Sequence, residues 1–194
     1  VGYTVKDLGS DILFLENVLE PSLCQHVIEV AECCQFMPAH KPDQLIDADI
    51  RSGGILPLGE GGALQESTNR LLLGKVKIIQ ELLFKRYGIR FSRPEACAVL
   101  RYLPGQGCKR HVDNCLLETR VQQLEQNIPT RDVAIIGYLN DEFEGGENLF
   151  DRQIIKVKPR AGCAIAFPAG YTHPHQALPV VRGCKYVFTS WLFY

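Results

Sequence analysis

The spacing of apolar residues changes character near residue 94. ILFLENVL (12–19) is a compact apolar run, read as a strand that leads into a turn. After it, Leu23, Val27, Val30, Ala31 and Cys34 recur at steps of 4, 3, 1 and 3. That rhythm lays one apolar stripe along a helix. Pro21 stands near the helix's first position, where its missing N–H does no harm. Residues 37–63 hold Pro38, Pro42, Pro57 and five glycines, so they read as loop with short strands such as DIRSGGIL (49–56). Leu72, Val76, Ile79 and Leu83 predict the core face of a second helix from about Ala63 to Tyr87, with Gly88 placed to end it.

Beyond Pro94 the runs are short and rich in β-formers: EACAVLRYL (95–103), RDVAIIGYLN (131–140), QIIKVKP (153–159), GCAIAFPA (162–169) and KYVFTSWLFY (185–194). Gly, Pro, Asp and Asn punctuate them as in sandwiches and barrels. The pattern predicts a mainly β fold of the α+β class, with N-terminal helices stacked on one face of a double-sheet jelly roll. One domain is expected over residues 1–194, with helical support over 1–93 and the β core over 94–194. The long interval NCLLETRVQQLEQNIPTR (114–131) reads either as a lid or binding loop, or as an exposed helical excursion.

A length of 194 residues fits one domain. Apolar residues at 46% and charged ones at 22% exclude wholesale disorder. Lys+Arg at 21 against Asp+Glu at 22 leaves a formal charge of −1. That balance gives no general electrostatic reason to bind nucleic acid or an anionic membrane, and neither is expected as a partner. No apolar run approaches the roughly 20 residues of a membrane span. VGYTVKDLGSD has neither a signal pattern nor an initiator Met, which suggests a processed or trimmed chain. The eight cysteines include no C-x-x-C pair, and several lie inside apolar runs as small buried hydrophobes. No N-x-S/T sequon occurs. A reducing, cytoplasmic setting is expected.

Candidate chemistry starts from His111-Val112-Asp113. In a strand, residues i and i+2 face the same side, so an imidazole and a carboxylate can converge on one ion. Alone the pattern is weak: five His and nine Asp produce roughly 0.2 such matches by chance. Downstream, THPHQALPVVRGCK adds His173 and His175, and ten residues after His175 comes Lys185. Two histidines and one carboxylate with open positions make the facial triad of non-haem Fe(II) oxygenases. A lysine heading the apolar run CKYVFTSWLF needs an anionic partner if it points inward; otherwise it snorkels to solvent from an edge strand. A dicarboxylate cosubstrate would require a buried cation of that kind.

Several motifs carry a resemblance: RYLPGQG (101–107), HVDNC (111–115), GYLNDEFEGGE (137–147), PRAG (159–162), Pro174-His175 followed by PVVRGCK (179–185), and Trp191. With them the stretch from about Glu95 to Tyr194 resembles the catalytic domain of the prolyl-hydroxylase-like Fe(II)/2-oxoglutarate dioxygenases. HVDNC resembles the prolyl 3-hydroxylase branch, and the EGGE turn with the ten-residue His-to-Lys interval is similar to prolyl 4-hydroxylases. The helical first half is similar in layout, though its motifs are unspecific. The resemblance implies that His111, Asp113 and His175 ligate Fe(II), with His175 chosen over His173 by its spacing from Lys185 and by Pro174. It implies that Lys185 pairs with the distal carboxylate of 2-oxoglutarate, with Tyr102 and Tyr138 as hydrogen-bond donors. Trp191 shares strand parity with Lys185 and either lines the same pocket or packs in the core. His173, Arg110 and Asn114 are the candidate substrate contacts. Arg160 and Arg182 either shape the entrance or are solvated charge.

One position departs from the family. Prolyl 4-hydroxylases usually place a tyrosine three residues before the first ligand histidine, where this chain has Cys108. Transfer of their substrate geometry is weakened there. Asp113 argues against the related halogenases, in which a small residue opens a halide position. The implied reaction consumes 2-oxoglutarate and O₂ with Fe(II), and with ascorbate as an accessory reductant, releasing succinate and CO₂ as a C–H bond is hydroxylated. A prolyl residue in a peptide or protein is the expected substrate. The alternatives are a free amino acid or other small molecule, and a low-turnover sensing module.

Overall fold

A computed structural model describes residues 2–38, 51–92, 94–114, 121, 125 and 129–194. In chain order the first elements are β1 (Thr4–Asp7), β2 (Leu13–Glu16), α1 (Pro21–Glu32), β3 (Met37–Pro38), β4 (Gly54–Pro57) and α2 (Ala63–Tyr87). Then follow β5 (Ala98–Tyr102), β6 (Cys108–His111), β7 (Val133–Tyr138), β8 (Glu144–Gly145), β9 (Asn148–Phe150) and β10 (Ile155–Val157). The chain closes with β11 (Ala164–Pro168), β12 (His175–Ala177), β13 (Val180–Arg182) and β14 (Lys185–Leu192). Among the described residues the fold is mostly β with two helices, neither long and apolar enough to cross a membrane.

Local chemistry directs where α1 begins and where α2 ends. Pro21 opens α1, and its buried side is Cys24, Val27, Val30 and Ala31. The helix stops at Glu32, so Cys34 lies past its end. α2 buries Leu72, Val76, Ile79 and Leu83, as the apolar spacing predicts, and adds Thr68. Gly88 ends it at φ 71°, in the left-handed region that glycine enters without penalty, and donates its N–H to Phe84 O at 2.8 Å.

Eight strands form one large sheet in the order β1-β2-β11-β7-β14-β5-β4-β3, and four form a smaller one, β10-β9-β12-β6. A pair, β8 and β13, stands apart. The long central strand β14 is rich in β-branched and aromatic residues and runs antiparallel to β5 on one side and β7 on the other. Gly137 of β7 makes this pairing possible, since a Cβ there would lie 2.0 Å from the Phe188 ring.

The strand period of two divides the interior. From β2, Leu13 and Leu15 join a cluster with Val27, Leu72, Ile79 and Phe188. Phe14 of the same strand joins the opposite cluster with Tyr138, Phe150, Val187 and Trp191. The helices therefore cover one face of the large sheet, and strands of the small sheet pack on the other.

β2 and β4 fall in the two early runs read as strands, ILFLENVL and DIRSGGIL. β1 to β4 come from the first 93 residues and complete the large sheet on both flanks, so the region expected as helical support is also part of the sheet. β1 carries an exposed, polar pattern that no apolar period would flag. Cys115 and most of the 114–131 stretch, expected as lid or excursion, lie outside the described residues.

Candidate active site

The small sheet brings the two histidines together. His111 ends β6 and His175 begins β12, and they sit directly opposite each other in that antiparallel pair. Their ring centroids are 4.5 Å apart. Asp113 joins them by a different route from the one strand parity suggests. β6 stops at His111, and Asp113 lies in a bend whose N–H donates to Ala169 O at 3.1 Å. Asp113 Oδ1 is 3.3 Å from His111 Nε2, and Oδ2 is 3.8 Å from His175 Nε2. One ligand atom from each of the three residues lies within 4.8 Å of the others.

The chemistry of this donor set fits a divalent metal. His111 Nδ1 lies 2.8 Å from Lys109 O, and His175 Nδ1 lies 3.1 Å from His173 O. Each Nδ1–H donating to a main-chain carbonyl turns Nε2 towards the centre, the position from which it ligates a metal once it carries no proton. All three side chains are at most 9% exposed. Phe150 and Phe167 pack on the His175 ring, at centroid distances of 5.6 and 4.7 Å.

Electrostatics sharpen the picture. Burial raises the Asp113 carboxyl, but His175, His111 and Arg51 outweigh it and hold the group below the usual carboxylate range. Burial pushes His175 down to about 4, so it stays neutral at pH 7. His111 moves the other way: burial lowers it, but contacts with Asp113 and Cys108 carry it to about 10. A metal entering at neutral pH therefore displaces a proton from His111.

Lys185 is 1% exposed and lines the same cavity as the three ligand candidates. Its ammonium donates to Gly146 O at 2.6 Å. The Tyr102 and Tyr138 rings lie 5.6 and 5.9 Å from Nζ. Burial pulls its pKa from 10.5 to about 8. The edge-strand alternative is thereby excluded, because β14 is central and the ammonium turns inward. Tyr102 is paired directly with Lys185 across β5 and β14. Tyr138 gives its hydroxyl proton to Asn148 Oδ1 at 2.9 Å, a buried residue that the sequence reading did not single out.

The other expected residues are distributed differently. Trp191 lines the cavity, six residues along β14 from Lys185. His173 is buried, with its nitrogens near Thr172 Oγ1 at 2.8 Å and Ser10 O at 2.6 Å. Those contacts tie the β1–β2 turn to the loop before His175; the ring is not part of the cavity wall, and His173 reaches the site through its carbonyl. Arg110 is on the surface and pairs with Asp151 at 2.7 Å. Asn114 donates to Arg131 O at 3.1 Å. Arg160 pairs with Glu16 on β2, and Arg182 with Glu144, both as exposed pairs.

Cys108 is buried with Sγ 3.3 Å from His111 Nδ1. Besides Asn148, two further polar wall residues, Arg51 and Thr189, escaped the sequence reading. Arg51 reaches to 4.0 Å from Asp113 Oδ1, carried there by a single bridge with Cys108. Nothing in its local sequence marks it. Thr189 was within reach of strand parity, since it shares the face of Lys185 and Trp191.

Comparison with known proteins gives concordant matches. A sequence model of the 2OG-Fe(II) oxygenase superfamily matches residues 97–193. The chain is 26% identical over 186 residues to a protein of Acanthamoeba polyphaga mimivirus named as a candidate prolyl 4-hydroxylase, covering 91% of this chain and 72% of that one. It is 35% identical over 210 residues to prolyl 3-hydroxylase 2 of Rattus norvegicus, covering 94% of this chain but only 30% of the rat protein. Among solved structures, the fold is similar to a Trichoplax adhaerens prolyl hydroxylase bound to a hypoxia-inducible-factor peptide fragment. The TM-score is 0.74 at 21% identity, covering 95% of this chain and 84% of that one.

Proposed function

Because the chain belongs to the 2OG-Fe(II) oxygenase superfamily, and is therefore a 2-oxoglutarate-dependent dioxygenase, we propose that it hydroxylates prolyl residues in peptides or proteins. The observation that carries the reading is one cavity bordered by His111, Asp113, His175 and the buried Lys185. The names of the mimivirus and rat proteins, and the peptide bound to the Trichoplax enzyme, support a prolyl substrate. We assign the two facing sheets to a double-stranded β-helix, and residues 1–194 to one catalytic domain. The large sheet supports this by drawing on both halves of the chain.

In this reading His111, Asp113 and His175 hold Fe(II), which with 2-oxoglutarate and O₂ supplies the oxidising chemistry that releases succinate and CO₂. The protein's own work is ligation, orientation and exclusion of water. The Lys109 and His173 carbonyls keep both imidazoles in the ligating tautomer. Lys185 anchors the distal carboxylate of 2-oxoglutarate, an ion pair that is favourable in a walled site only with added hydrogen bonds. Tyr102 is positioned to add one. Tyr138 can do so by releasing Asn148.

The test is incubation with Fe(II), 2-oxoglutarate and a library of blocked proline-containing peptides beside free amino acids, read by mass spectrometry. A +16 Da product on a peptide is expected. Product on free amino acids alone, or succinate release with no hydroxylated peptide, refutes the proposal.

A further inference from the structure

Among the described residues, four that are not glycine hold a positive φ: Ser10, Asp11, Asn17 and Ile154. The first three are short polar types. Ile154, at φ 58°, is β-branched, and such a residue is a genuine outlier in the left-handed region. It closes the turn from β9 to β10, where its N–H donates to Asp151 O at 3.3 Å and the flanking Phe150 and Ile155 pair. Glycine or asparagine ordinarily fills a left-handed turn position. No packing compensates the strain: Ile154 is 90% exposed, the most exposed large apolar residue described. A strained residue that packs on nothing points to a use outside the fold.

The turn is braced on two sides. Arg152 donates to Tyr171 O at 3.1 Å and Gln153 Nε2 to Thr172 O at 2.8 Å, which fastens it to the loop before His175. Arg110, next to His111, pairs with Asp151 at 2.7 Å and fastens it to β6. The braced loop presents a second large apolar side chain, Tyr171, 74% exposed.

Both side chains stand at the metal end of the small sheet. β6 ends at His111, β12 begins at His175, and β9 ends at Phe150, whose ring packs on His175. The turn 151–154 and the loop 169–174 leave the sheet at that end. Neither Ile154 nor Tyr171 borders the cavity of the metal candidates and Lys185. A substrate residue seated in that cavity therefore leaves both free to meet its neighbours along the peptide.

We propose that Ile154 and Tyr171 form an outer recognition site for the substrate, gripping apolar side chains that flank the reacting residue. This role presupposes the prolyl-peptide reading above and adds to it a preference for apolar flanking sequence. The nearby charges do not compete, since Arg110 and Asp151 neutralise each other and Arg152 is engaged by Tyr171 O. Contacts away from the reacting atoms act on KM rather than kcat.

The probes are two blocked 15-residue peptides that share the central residues of the library peptide giving most product. One has flanks of alternating leucine and serine, the other of serine alone. The parent should favour the leucine peptide about tenfold in KM at similar kcat. Ile154→Gly and Tyr171→Ser should each cut that preference to about threefold or less. Val181→Ser removes another exposed apolar side chain, 69% exposed on β13, and should leave the preference intact. Urea unfolding separates binding from folding. Glycine relieves the positive φ, so Ile154→Gly should unfold at the parent's urea concentration or above it.

A preference absent from the parent, or unmoved in either variant, overturns the outer site. So does an Ile154→Gly protein clearly less stable than the parent, because the side chain would then serve the fold. A parent dimer that dissociates in both variants, read by sedimentation, would assign the pair to a second copy of this chain and overturns it too. If no proline peptide is hydroxylated, the functional reading fails and takes this one with it; turnover of both probes at equal KM sinks the outer site alone.

Discussion

Replacing Lys185 with methionine should leave the resting protein as stable as the parent, or more so, while removing its hold on 2-oxoglutarate. The side chain is 1% exposed, and burial lowers its pKa from 10.5 to about 8. At 1.36 kcal/mol per tenfold change in proton affinity, keeping the ammonium charged below pH 8 destabilises the fold by about 3 kcal/mol. The sign follows from proton counting. Between about pH 8 and 10.5 the unfolded chain binds more protons at this site than the folded one, so this residue's contribution to stability improves as pH rises through that window.

Methionine has a similar volume and no charge, so the penalty disappears. The Gly146 carbonyl loses its 2.6 Å donor, which restores about 1–3 kcal/mol of cost. The balance is roughly 0–2 kcal/mol in favour of the variant. Urea unfolding at about pH 7 and pH 9.5 would measure both the balance and its pH dependence. In the presence of Zn(II), 2-oxoglutarate at 100 times its dissociation constant should stabilise the parent by about 2.7 kcal/mol and the variant hardly at all. A variant less stable than the parent by more than about 3 kcal/mol at pH 7 would sink this account. So would one still stabilised by 2-oxoglutarate to the parent's extent.

Asp113→Ala and His175→Ala should each abolish Mn(II) binding and succinate release. His173→Ala should keep metal affinity within a few-fold but destabilise the fold by about 1–3 kcal/mol, because Ser10 O loses its partner; loss of metal in the His173 variant with retention in the His175 variant would reassign the ligand. With His111 raised to about 10 and His175 lowered to about 4, metal binding should release one proton across pH 6–9. Mn(II) affinity measured by calorimetry should then rise about tenfold per pH unit, and a flat profile would contradict the assignment. Gly137→Ala should destabilise the fold by about 1–3 kcal/mol through collision with Phe188, measurable by thermal unfolding. Ile79→Ala on the buried face of α2 should cost about 2–5 kcal/mol by the same assay without altering metal affinity.

The sequence by itself determined what is local and periodic. Apolar steps of three and four placed α2 and its buried face, and strand alternation put Lys185 and Trp191 on one side of β14. His-x-Asp and a later histidine marked candidate ligands, because metal ligation demands those residue types at few positions; the ten-residue step to Lys185 gained its meaning from the family resemblance. Only tertiary structure decided how they meet. His111 faces His175 because β6 pairs with β12 across 64 residues, and Asp113 turns in through a bond to Ala169 rather than by strand parity. Ser10 claims the His173 ring from 163 residues away, and a bridge to Cys108 delivers Arg51 to Asp113. The exposed strand β1 was invisible because its place is set by pairing with Leu13–Glu16 rather than by an apolar period of its own. Periodicity records which face of an element is buried; contacts between distant elements depend on where every other element sits, and no short window of sequence contains that.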